Sequence, residues 1–280
     1  MRLRAISVLL LAVALAWVLP LLGLAGAGQP LAPFLDFPPR TERVPHAPFA
    51  WGMFVIMSIP PLLVFALYIA AAARARLEPA AGPSGGPFPW WGWLGFTLIA
   101  LGWVLAWTEG LVPLEWRRHT FTPLWLGYVL VMNGLARRRT GSCPLTHRTG
   151  WFLTLFPVSA VFWWLFEHLN QFVGNWYYTG IVATSDWDYF LQAALPFSTV
   201  LPAVASTWSW LGTFSRLDRL ALPAMRAHPA LAWVAVIAGA LALAGIGIQP
   251  EILYPCCGWG RCSFSSGCSN CCSARPCWRR

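Results

Sequence analysis

Residues 151–171 read WFLTLFPVSAVFWWLFEHLNQ. Their length and apolar content match the roughly 20 residues that an α-helix needs to cross a hydrocarbon core about 30 Å thick. Near the end of this stretch stand Glu167 and His168, followed by Asn170 and Gln171. A charge at the centre of a membrane helix costs roughly 2.5–3.5 kcal/mol on insertion scales, so an ionisable group there marks a functional site by default. The plainer reading is interhelical glue, in which each polar side chain bridging two helices contributes about 0.6 kcal/mol. The residues alone support both readings of Glu167 equally.

The rest of the chain agrees with a bilayer setting. Of its 280 residues 58% are hydrophobic and 10% charged, against about 25% charged in an average soluble domain, which excludes an ordinary water-soluble protein. The net charge of +9 comes from 19 basic residues, all Arg, in short clusters between apolar runs. That pattern is a topology signal and excludes a nucleic-acid partner. The absence of Lys beside abundant Ala, Gly, Pro and Trp suggests a GC-rich bacterial gene and hence a bacterial inner membrane.

Seven apolar segments are predicted as membrane helices, over about 6–27, 50–73, 90–108, 121–136, 151–171, 189–213 and 229–249. The expected fold is therefore an all-α polytopic transmembrane bundle. With the N-terminus in the cytoplasm, the inner stretches hold Arg2, Arg4, Arg74, Arg76, Arg137, Arg138, Arg139, Arg148, Arg216, Arg219 and Arg226. The outer ones hold only Arg40, Arg43, Arg117 and Arg118, an excess that sets this orientation. Residues 1–27 form a first transmembrane helix or a signal-like anchor, since Met1-Arg2-Leu3-Arg4 and Ala25-Gly26-Ala27 resemble a cleavable signal. The apolar run exceeds the 7–15 residues usual for a signal and favours a retained helix. Residues 28–254 make up the helical bundle, with no visible internal repeat of the kind that builds many transporters.

Residues 255–280 differ in composition. Seven of the eight Cys fall between Cys256 and Cys277. Cys268 and Cys271 have the two-residue spacing of a metal knuckle, but no second such pair follows, and an outer location favours oxidation of thiols. Repeated leucine codons read one base late give paired Cys, so a frameshifted terminus is the preferred reading, with disulfides next. An unshifted frame would then carry an eighth span. No metal site and no cofactor are predicted, and His46, His147 and His228 lie in loops without metal-ligand spacing.

Helical spacing over 151–171 places Ser159, Ala160, Trp163, Glu167, Asn170, Gln171 and Gly174 on one stripe. Phe162, Phe166, Leu169, Phe172 and Val173 fall on the other, which is expected to face lipid. Glu167 is then about one turn below the outer surface, as a candidate acid/base or ligand anchor, with Asn170, Gln171, Asn175, Trp176 and Tyr177 as binding candidates beside it. Glu109 and the cluster Arg117-Arg118-His119 join the same face, along with Asp186, Asp188 and Glu251. Glu167 is expected to be either neutral or ion-paired with Arg117 or Arg118. Pro196 and Pro202 should break the sixth span and free backbone groups for a neighbour to satisfy. Asn133, Ser206, Thr207 and Ser209 read as glue between helices.

The strings Phe121-Thr122-Pro123-Leu124-Trp125-Leu126-Gly127-Tyr128 and Phe162-Trp163-Trp164-Leu165-Phe166-Glu167 through Asn175-Trp176-Tyr177-Tyr178 resemble those of uncharacterised multi-pass bacterial membrane proteins. The resemblance implies a membrane bundle and carries no activity with it. Three functional classes follow. The first is a site that binds or modifies a lipid-like or amphipathic small molecule, entered from the outer leaflet. The others are a transporter or proton-coupled carrier, and a non-catalytic scaffold or partner subunit. Membrane lipids are the expected surroundings. A carrier needs titratable groups at several depths, and Glu167 is the only carboxylate well inside a predicted span.

Overall fold

A computed structural model of the protein describes residues 2–44, 49, 51–74, 85–108, 110, 112–179, 181–214 and 229–250. Among them the chain is helical, with no strand. The elements are α1 (Arg2–Gly26), α2 (Trp51–Arg74), α3 (Trp90–Trp107), the single turn α4 (Leu114–Arg117), α5 (Phe121–Thr140), the single turn α6 (Pro144–His147), α7 (Thr149–Val173), α8 (Asp186–Ser198), α9 (Val200–Leu211) and α10 (Pro229–Ile246). A helix occupies most of the described residues of each of the seven predicted segments, the sixth being split into α8 and α9. Among the described residues four stretches are long and apolar enough to cross a membrane: Phe54–Ala71, Trp90–Trp107, Thr149–Val173 and Asp186–Leu211. The Cys-rich tail, Glu109 and Glu251 lie outside the described residues.

α7 is the centre of the assembly. One side packs on α8 and α9, where Trp164 lies in a buried cluster with Tyr189, Ala193 and Phe197. The other side meets α1, where Phe172 is buried with Leu24 of α1 and Ile246 of α10 and stacks on Phe34. This corrects the expected lipid-facing stripe in part, because Leu169 and Phe172 are buried while Phe162 is exposed. A helix with neighbours on both sides uses apolar residues for packing as well as for lipid contact.

Close backbone approach ties the remaining helices together. A Cβ built on Gly95 of α3 would lie 2.7 Å from the Gly127 carbonyl oxygen of α5, and one on Gly127 2.6 Å from that of Gly95. Small residues permit such contact in lipid, where van der Waals packing replaces the hydrophobic drive between helices. Polar glue joins α5 to α9. Asn133, fully buried, donates to Ser206 Oγ at 2.8 Å and accepts from the Leu145 amide at 3.1 Å, while Tyr128 and Thr207 share a hydroxyl hydrogen bond of 2.7 Å.

The predicted break in the sixth span lies between α8 and α9. The hydroxyl of Ser159 on α7 enters it, donating to the Phe197 carbonyl at 2.5 Å and accepting from the Leu201 amide at 3.0 Å. Those two groups are four residues apart and would bond each other in an unbroken helix. A neighbouring side chain therefore satisfies one carbonyl and one amide that the break at Thr199 leaves unpaired.

Candidate functional site

Loops from distant parts of the sequence converge at the C-terminal end of α7. Gly174, with φ of +58°, ends the helix in the left-handed conformation, which Gly adopts without steric penalty. A Cβ at this position would also lie 2.6 Å from Val44 Cγ2. Asn170, fully buried, then holds the chain as it folds back. Its Oδ1 accepts from the amides of Asn175 at 2.9 Å and Trp176 at 3.3 Å, and its Nδ2 donates to the Trp176 carbonyl at 2.7 Å and to Thr41 Oγ1 at 3.0 Å. Asn170 is thus fully used in shaping the loop.

The loop delivers two donors to Glu167, which is 1% exposed. Trp176 Nε1 donates to Glu167 Oε1 at 3.0 Å and the Tyr178 hydroxyl donates to the same oxygen at 2.6 Å. Among the described residues Glu167 has no ion-pair partner, so of the two expected alternatives the bridge to Arg117 or Arg118 is not formed. Arg118 instead donates to the Val182 carbonyl at 3.0 Å. Although Tyr178 is 42% exposed as a residue, desolvation of its hydroxyl end raises the phenol well above its usual range, and its hydrogen bond to Glu167 adds to this. Tyr178 therefore remains a donor across physiological pH.

Beyond Tyr178 opens a cleft of about 850 Å³ among α5, α7, α8 and α9. Arg118, Tyr178, Thr179 and Gln192 line one end. Gln192 donates to the Val182 carbonyl at 3.2 Å, the acceptor that Arg118 also uses, and to Asp188 at 2.9 Å. The remaining wall is mainly apolar and aromatic, including Trp125, Trp163, Phe197, Val200 and Ala203. Within it the Tyr128–Thr207 pair supplies the internal hydroxyls. Trp163 Nε1 is buried without a hydrogen-bond partner. Glu167 does not line the cleft; it stands behind Tyr178.

Comparison with protein-family models, curated proteins and solved structures finds no match to this chain. The site must be read from its own chemistry.

Of the predicted site residues, Glu167, Asn170, Asn175 and Trp176 come together as one unit. Arg118 lines the cleft, while Arg117 and His119 lie in the adjoining turn and His119 is exposed. Gln171 Oε1 is buried without a hydrogen-bond partner. Tyr177 is 42% exposed and its hydroxyl has no partner among the described residues, so the adjacent Tyr178 performs the role expected of it. Asp186 pairs with Arg40 at 2.7 Å on the surface. Among the described residues no group of His, Cys, Asp and Glu could hold a metal ion.

Sequence reasoning gives no role to Thr179 and Gln192 of the wall, while Trp163 falls on the expected bundle-facing stripe and the Tyr177 and Tyr178 hydroxyls are expected to line a mouth above Glu167. His168 stands in the polar run with no role assigned to it. His168 is buried, stacks on Trp17 with centroids 4.1 Å apart and bonds the Trp17 carbonyl at 3.0 Å. Its place in a span beside Glu167 was the available signal. The structure uses it to attach α1 to α7.

Proposed function

We propose that this is a multi-pass protein of the bacterial inner membrane, with a cytoplasmic N-terminus and seven spans in the frame given. In this reading it binds a lipid-like or amphipathic small molecule in the cleft among α5, α7, α8 and α9. The Arg118 end is the outer end. The observation that carries the reading is the graded wall: Arg118, Tyr178, Thr179 and Gln192 at one end, with aromatic and aliphatic side chains over the rest. A polar group on the ligand is held at the mouth while its apolar body lies along α5 and α9, an arrangement common to small-molecule sites.

Glu167 is a positioning residue in this account. It fixes the Tyr178 hydroxyl and the Trp176 indole, and so shapes the mouth without touching the ligand. The test is mass spectrometry of small molecules retained by the purified chain, compared with a cleft-filling Val200→Trp variant. Retention by the parent and loss in the variant support the reading.

A further inference from the structure

A second cleft lies at the opposite end of the bundle. It encloses about 770 Å³ beside α6, the start of α7 and the end of α9. Its lining includes Arg148, His147 and Thr213 and the apolar side chains of Leu155, Leu201 and Val204, the last 60% exposed and shared with the first cleft. Leu155 is six residues into α7 from Thr149, so it lies about 9 Å along the helix from the Arg148 end.

The Arg148 end is cationic and rich in donors. Arg148 is exposed and has no ion-pair partner among the described residues. His147 Nδ1 accepts the Cys143 amide at 3.4 Å and lies 2.8 Å from Thr146 Oγ1. With Nδ1 accepting, the hydrogen of the neutral ring is on Nε2, leaving that nitrogen as a donor. Arg137, Arg138 and Arg139 end α5 at the same side; Arg139 donates to Thr213 Oγ1 at 2.8 Å and covers the Phe214 ring at 4.0 Å. Among the described residues no carboxylate lines the cleft. A further opening of about 670 Å³, lined by His147, Arg148, Thr149, Gly150 and Trp151, lies at the N-terminus of the 25-residue α7, where the helix dipole favours an anion.

We propose that this second cleft binds an anionic phospholipid, with Arg148 and His147 on the phosphate and an acyl chain along Leu155, Leu201 and Val204. A basic rim above an apolar groove is the form that headgroup pockets between membrane helices take. The free anion shares the headgroup chemistry but has no use for the apolar wall.

The test uses the purified full chain in detergent micelles supplied with phosphatidylglycerol or phosphatidylcholine, with retained lipid counted by native mass spectrometry. Phosphatidylglycerol should be retained over phosphatidylcholine, and Arg148→Ala should lower that preference about fivefold, the equivalent of one basic contact at a membrane surface. Arg148→Lys should restore most of it, and excess inorganic phosphate should leave it in place. Arg148 is exposed, so an unchanged melting temperature will show that the variants fold. Equal retention by Arg148→Ala and the parent, or equal loss of both lipids, overturns the proposal. Full displacement by inorganic phosphate overturns it too, by showing a site for a free anion.

Discussion

The Tyr178 hydroxyl donates to Glu167 Oε1 at 2.6 Å across a turn of the chain that Asn170 closes. The carboxyl is therefore held by its own following loop, with Trp176 bonding the same oxygen at 3.0 Å. Because only Oε1 is used by these two donors, acceptor and charge can be separated. Glu167→Gln keeps the acceptor, and its melting temperature in detergent should stay close to that of the parent. Glu167→Ala orphans two donors at a cost of roughly 1–3 kcal/mol each where they are buried, and should melt clearly lower. Equal melting of Gln and Ala variants would contradict this role.

Ser159 offers a second test, since it bridges the Phe197 carbonyl and the Leu201 amide. Ser159→Ala leaves both groups unpaired inside the bundle, which should destabilise the protein by about 1–3 kcal/mol. Hydrogen exchange should quicken at Leu201 and not at the distant Gly95–Gly127 crossing. Unchanged melting and unchanged exchange would show that the break is satisfied in another way.

At that crossing, Gly95→Leu places a side chain against the Gly127 carbonyl, with its Cβ already at 2.7 Å. α3 and α5 must separate, and overpacking of this kind costs typically 1–3 kcal/mol. A variant that melts with the parent would rule out the close approach.

Tyr178 carries a pH dependence whose sign follows from its raised phenol. An unfolded tyrosine loses its proton near pH 10, whereas the folded Tyr178 holds on to it well above that value. The folded state then binds more protons than the unfolded one, so stability from this group is complete below about pH 10 and falls as the pH rises further. Subtracting the melting curve of Tyr178→Phe from that of the parent should leave a difference that is flat from neutrality to about pH 9.5 and declines beyond it. A difference that grows with alkaline pH would contradict the assignment.

Much of the architecture was legible because helix length and Pro punctuation act locally. The predicted break near Pro196 and Pro202 appears between Ser198 and Val200, and the polar run at 167–171 falls at one end of α7. The faces of α7 were harder to assign. Leu169 and Phe172 read as lipid-facing, yet both are buried, because a bilayer and a helix interface accept the same apolar side chains. Charge suggested Arg117 or Arg118 as partner of Glu167, but neutral donors hold it, placed by a left-handed turn at Gly174 and four hydrogen bonds to Asn170. The cleft was invisible for a different reason. Its wall joins residues from Arg118 to Leu211, and an empty space between four helices has no local sequence signal.

The central claim is that an amphipathic molecule occupies the cleft that Arg118 and Tyr178 line. The direct measurement is mass spectrometry of small molecules retained by the purified full chain and by Val200→Trp at matched melting temperature. The account predicts one retained amphipathic species in the parent, depleted at least about tenfold in the variant, equivalent to about 1.4 kcal/mol of lost binding. Equal recovery of every species from both proteins would contradict it.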